Sequence, residues 1–159
     1  MKRKIVIALM FCLALVFVGC TNVEDEIVGD FTYTFPAEKW MRFNETAGDV
    51  VSNYIVHEFD IEDTAAAYTI TLDFRYTPRI SETSIPIVFS VFSPDGEESH
   101  VRTTLTITDI NKGSVSKVIY PVKYFKTQGI YKIQFFQKTT KMLIDGAVST
   151  NVKIKVTGK

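Results

Sequence analysis

Between Ala67 and Tyr76 the chain alternates: Tyr68, Ile70, Leu72, Phe74 and Tyr76 take every second position, with Thr69, Thr71, Asp73 and Arg75 between them. Successive side chains of a strand point to opposite faces, so the pattern demands a strand with one apolar and one polar side. The same period recurs from Ile85 to Ser93, where Ile85, Ile87, Phe89 and Val91 are in step. It recurs from Ile130 to Lys138, where Tyr131, Ile133 and Phe135 alternate with Lys132, Gln134 and Phe136. It closes the chain, where Val152, Ile154 and Val156 alternate with Lys153 and Lys155. Weaker alternation predicts strands over Tyr54–Asp60, His100–Thr108 and Val115–Val122. No stretch sustains a 3.6-residue apolar repeat, and the alanines at 65–67 are too few to make a helix.

The breaks between these runs carry turn chemistry. Ser93-Pro94-Asp95-Gly96 joins the Ile85 strand to its successor as an expected hairpin, because Pro presets φ and Gly accepts positive φ. Asn111-Lys112-Gly113-Ser114 and Asp145-Gly146 mark two further turns, and Gly129 supplies a backbone conformation before its strand. The expected fold is therefore all-β: a single antiparallel β-sandwich of about 7–9 strands, Ig-like or jelly-roll-like. Pattern alone does not separate sandwich from barrel. No internal repeat or second domain is visible.

The amino terminus has a different character. Lys2, Arg3 and Lys4 precede an unbroken apolar run from Ile5 to Val18, 14 residues long. That is short of the about 20 residues a membrane span needs, and suits the apolar region of a signal peptide. The run ends in Phe17-Val18-Gly19-Cys20, which resembles the lipobox of bacterial lipoproteins, with Phe17 departing from the usual Leu. Gly19 is small enough for a peptidase to grip the bond before Cys20. The Cys20 thiol is the expected attachment point for diacylglycerol, and the freed α-amino group can take a further acyl chain. Two or more chains anchor stably where one binds reversibly. The expected organisation is a lipoprotein signal peptide at 1–19, an acidic tether at 20–30 and the β-sandwich domain at 31–159. The run Glu24-Asp25-Glu26 reads either as a surface-export signal or as a solvated linker. The membrane expected is therefore the outer membrane, on its periplasmic or its surface side.

Composition narrows the function classes. The chain carries 18 basic and 18 acidic residues, and loss of Lys2, Arg3 and Lys4 with the signal leaves the mature part at a formal charge of −3. No basic face is clustered, so nucleic acid is not an expected partner. Cys12 falls in the signal, which leaves Cys20 as the single mature cysteine and rules out an internal disulfide.

Catalytic signatures are weak, and neither enzyme chemistry nor a cofactor is expected. The histidines, His57 and His100, sit in no nucleophile motif and read as strand or surface residues. Asp60, Glu62 and Asp63 follow one another at a strand end and read as a solvated turn, with a cation site as the alternative. Asp73 reads as a cross-strand partner in the neighbourhood of Arg75. No Cys/His spacing suggests zinc, and no Gly-rich loop suggests phosphate. Twelve Phe, seven Tyr and one Trp belong mostly to a core. Trp40 is the aromatic to weigh: it either packs over an open edge of the sandwich or offers a stacking platform to a sugar ring.

The order of features resembles a known family. After the lipobox and Trp40 come His57-Glu58-Phe59-Asp60-Ile61 and Tyr68-Thr69-Ile70-Thr71-Leu72-Asp73-Phe74-Arg75-Tyr76. Ser93-Pro94-Asp95-Gly96 follows, then Gly129-Ile130-Tyr131-Lys132-Ile133-Gln134-Phe135 and Leu143-Ile144-Asp145-Gly146. This resembles GldH, the gliding-motility lipoprotein family of the Bacteroidetes, over roughly residues 38–158. The resemblance implies an envelope lipoprotein associated with gliding machinery linked to type IX secretion. It carries over no catalytic residue, and Cys20 is the one functional position it transfers. Three classes thus compete. A structural or accessory subunit of an envelope machine predicts an exposed apolar patch or unpaired strand edge. A carbohydrate- or ligand-binding lipoprotein predicts exposed aromatics grouped on one face. An enzyme predicts polar groups converging in a pocket.

Overall fold

The computed structural model describes residues 26–42 and 54–158. The signal segment, Cys20, and the Glu24 and Asp25 part of the acidic run lie outside the described residues. The strands, in chain order, are β1 (Ile27–Thr34), β2 (Lys39–Met41), β3 (Ile55–Ile61), β4 (Ala67–Tyr76), β5 (Ser84–Phe92), β6 (Glu98–Thr106), β7 (Ser114–Lys123), β8 (Gly129–Gln137), β9 (Leu143–Asp145) and β10 (Ala147–Gly158). The weaker strands shift from their sequence-predicted limits by no more than two residues. Among the described residues no helix is long and apolar enough to cross a membrane.

Two antiparallel sheets form, in the orders β1-β10-β4-β7 and β3-β8-β5-β6, with β2 and β9 pairing as a separate ribbon. Numbered along the chain, the eight long strands run 1-8-3-6 in one sheet and 2-7-4-5 in the other. That order is the eight-stranded jelly roll, so the Ig-like alternative is not the one realised. The core lies where the apolar phases of the two sheets meet. Ile70, Leu72 and Phe74 of β4, with Val152 and Ile154 of β10, face Ile85, Ile87 and Phe89 of β5 and Ile133 and Phe135 of β8, all essentially without solvent exposure. Each such side chain contributes about 1.5–3 kcal/mol by leaving water.

The turns behave as their residues require. Gly96 closes the β5–β6 hairpin at φ 87, with its N–H donating to the Ser93 carbonyl at 3.0 Å. Gly129 opens β8 at φ 122. Gly146, between β9 and β10, combines φ 79 with a tight fit, since a Cβ there would lie 2.7 Å from the Ile80 backbone nitrogen.

One expected boundary needs correction. Residues 27–30, read as tether, belong to β1, where Asp30 pairs with Lys153 and Phe31 with Val152 of β10. An edge strand is held by backbone hydrogen bonds on one side only, and a bulge between Ile27 and Gly29 leaves Ile27 exposed opposite Lys155 while Val28 packs against the core. A Cβ on Gly29 would meet the Phe31 ring at 2.6 Å, so the inward position is filled by a neighbour's ring rather than by its own side chain. Alternation is therefore invisible at that point.

Candidate functional site

Trp40 corrects the sugar-platform expectation. It lies in β2 with 2% of its surface exposed, so no ring could stack upon it. Its centroid is 4.9 Å from Phe35, 5.6 Å from Phe74 of β4 and 6.5 Å from Phe135 of β8. It thus bridges central strands of both sheets and closes an end of the sandwich rather than an edge. Gln137, itself fully buried, ties this end to the second sheet: its amide nitrogen donates to the Trp40 carbonyl at 3.5 Å, and its oxygen accepts from the Thr139 N–H at 2.8 Å.

The two histidines are not brought together. His57 points inward from edge strand β3 and stacks on Phe31 of β1 at 5.0 Å, where burial lowers its pKa from 6.5. His100 points outward from β6, the opposite edge of the same sheet. Glu62 and Asp63 occupy the turn before β4: Asp63 accepts from the Ala65 N–H at 2.9 Å, and its carbonyl accepts from the Tyr68 hydroxyl at 2.6 Å. Among the described residues no three His, Cys, Asp or Glu side chains come together as a metal group. Asp73 makes no ion pair with Arg75 among the described residues. Its cross-strand neighbours are Asn151 and Ser116.

The outward faces of the sheets differ in chemistry. On the first sheet Thr32, Asn151, Asp73 and Ser116 stand side by side across the four strands. Asn151 donates to Asp30 at 2.6 Å and to Thr32 at 3.0 Å, and the Lys153 ammonium lies 3.7 Å from Asp30. These short polar groups largely satisfy one another, as expected of a face kept in water.

The second sheet carries apolar groups outward. Register aligns Phe136, Val88 and Arg102 in one row and Val56, Gln134, Ser90 and His100 in the next. Tyr54, just before β3, sets its ring edge-on to Phe136 at 5.2 Å and 86°. A third row holds Glu58, Lys132, Phe92 and Glu98, with the Lys132 ammonium 4.9 Å above the Phe92 ring. Val56 and Ile130, on the same face, are 45% and 55% exposed. Four strands at about 4.8 Å and three rows at about 6.8 Å give a face of about 14 by 14 Å, or about 200 Å², on which Phe136, Val88, Val56 and Phe92 are the apolar positions of those rows. Alternation by itself does not mark this face, yet Phe136 is a legible trace of it. In β8 it stands in the phase otherwise held by Lys132 and Gln134, so an aromatic ring there must face outward.

No family model matches the chain, and no curated protein matches it. Among solved structures it is similar to chains of infectious bursal disease virus. In the Gt strain structure the TM-score is 0.41 at 8% identity, covering 87% of this chain and 35% of the viral one. In the Gx strain structure the TM-score is 0.43 at 10% identity, covering 84% and 30%. The chain thus spans about a third of the length of these viral chains.

Proposed function

We propose that this chain is a non-catalytic lipoprotein of the outer membrane, tethered through diacylated Cys20, that docks a protein component of an envelope machine. The resemblance to GldH makes the gliding and type IX secretion-linked apparatus the expected machine. The observation that carries the docking role is the apolar patch on the outer face of the second sheet, centred on Val88 between Phe136 and Arg102. The face that carries it, about 200 Å², is a quarter of the ~800 Å² that each partner buries in a standard interface. Its apolar side chains stand among Lys132, Glu58, His100 and Arg102, a mixed surface that suits part of an interface rather than a whole one. The aromatics favour a protein over a glycan here. Tyr54 and Phe136 are half-buried and set edge to face at 86°, so part of their ring surface is already taken up by each other.

The test is photo-crosslinking of the full lipoprotein in outer-membrane fractions, with a crosslinker at Val56 and with Cys20→Ala and Val88→Glu as comparisons. Capture of motility or secretion-channel subunits, lost in Val88→Glu while its circular dichroism stays that of the parent, supports the reading. Capture indifferent to Val88→Glu, or no capture of those subunits, overturns it. Labelling with a palmitate analogue that persists in Cys20→Ala would overturn the anchor.

A further inference from the structure

At one end of the sandwich, the β5–β6 turn and the β7–β8 connection enclose a cleft of about 260 Å³ lined by Ser93, Asp95, Ser99, Lys123, Tyr124 and Thr127, among others. It meets the second sheet's outer face at Glu98, which with Asp95 and Glu97 is one of three carboxylates in its lining. Lys123 is its unusual member. The Nζ sits 4.6 Å from the centroid of Tyr120 and 5.6 Å from that of Phe125, and donates to the Ser99 hydroxyl at 3.0 Å. Among the described residues no carboxylate lies within ion-pair distance of it, whereas the cleft's other ammonium, Lys126, is paired with Glu97 at 3.2 Å. Half-burial, and then the nearby Lys126 charge, lower the Lys123 pKa below the usual 10.5. A half-buried cation without a counter-ion is a costly arrangement that an incoming anion relieves.

The rest of the lining specifies what kind of anion. The Asp95 carboxylate is held in place by the Ser93 hydroxyl, and Thr127 donates to it at 3.4 Å. These oxygens accept hydrogen bonds from a ligand rich in hydroxyls and repel a ligand that is purely anionic. Tyr124 stands at the rim with 64% of its surface exposed, a free aromatic face in reach of the opening. The volume falls just below the about 300–1,000 Å³ of drug-sized pockets, a fit for something as small as a single sugar ring.

We propose that this cleft binds an acidic sugar of the uronic-acid class, with the ligand carboxylate on Lys123, its hydroxyls on Asp95 and Thr127, and its ring against Tyr124. A neutral sugar leaves Lys123 without its counter-ion. A simple carboxylate, such as acetate or a peptide C-terminus, leaves the Asp95 side and Tyr124 unused.

The experiment is calorimetric titration of the full lipoprotein in detergent micelles with galacturonic acid, galactose, acetate and a short peptide carboxylate. Galacturonate is expected to bind at least tenfold tighter than the other three. Lys123→Gln should lower its affinity at least tenfold, Lys123→Arg should lower it less, and Tyr124→Ala, a change at an exposed ring, should weaken it without changing the melting temperature. Equal binding of galactose overturns the charge argument, and equal binding of acetate or peptide overturns the sugar argument. Galacturonate binding that survives Lys123→Gln, or no galacturonate binding at millimolar concentration, overturns the site. None of these readings depends on the docking partner, so failure here and failure of the docking role are separable.

Discussion

Replacing Trp40 by Ala removes the ring that joins the two sheets at one end of the sandwich. The side chain is 2% exposed and contacts Phe35, Phe74 and Phe135, so truncation leaves a cavity bordered by other aromatics. Truncating a buried aromatic costs about 3–5 kcal/mol. Set against the about 5–15 kcal/mol that holds a typical domain together, that loss takes about a fifth or more of the total. With a urea dependence of about 2 kcal/mol per M, the unfolding midpoint should fall by about 2 M. Far-UV circular dichroism is the assay, since the variant loses the chain's one tryptophan. Trp40→Phe refines the expectation. The Nε1–H is buried with no partner among the described residues, so Phe keeps most of the ring packing and sheds an unsatisfied donor. Its loss should be about 1 kcal/mol, well below that of Ala. A destabilisation under about 1 kcal/mol for Trp40→Ala would refute the core assignment. So would parent tryptophan fluorescence that iodide quenches freely, because a solvent-reached ring is what a surface platform requires.

Gly146→Ala should cost about 2–5 kcal/mol, from about 1–2 for a side chain at positive φ and about 1–3 for overpacking against the Ile80 backbone 2.7 Å away. Gly96→Ala, at φ 87 with nothing within 4 Å of the added Cβ, should cost only the first part, and equal melting temperatures for the two would contradict this. His57 gives a pH dependence. Burial holds the folded imidazole below 6.5, so the unfolded chain binds the extra proton more readily, and stability present above pH 6.5 declines as the pH falls beneath it. Melts at pH 5 and pH 7.5 should show this decline in the parent and a smaller one in His57→Leu; an unchanged pH slope in the variant would assign it elsewhere. Gln137→Leu should cost about 1–3 kcal/mol in urea melts, because it leaves the buried Thr139 N–H without an acceptor, and a neutral effect would show that water replaces it.

Much of this protein is written in short-range pattern. The inward faces of β4, β5, β8 and β10 follow from apolar residues two apart, since a strand's side chains alternate whatever it pairs with. The turns at Gly96, Gly113 and Gly146 follow from residues that tolerate positive φ, and all three lie there. The lipobox expected at Cys20 rests on sequence alone, since that residue lies outside the described ones. What remained open depended on which strands become neighbours. The jelly-roll order, the capture of residues 27–30 as an edge strand, the burial of Trp40 between β4 and β8, and the gathering of Tyr54, Phe136 and Val88 on one face all join residues far apart in the chain. Alternation states that a side chain has a face, but only the packing of two sheets decides which faces meet each other and which meet water.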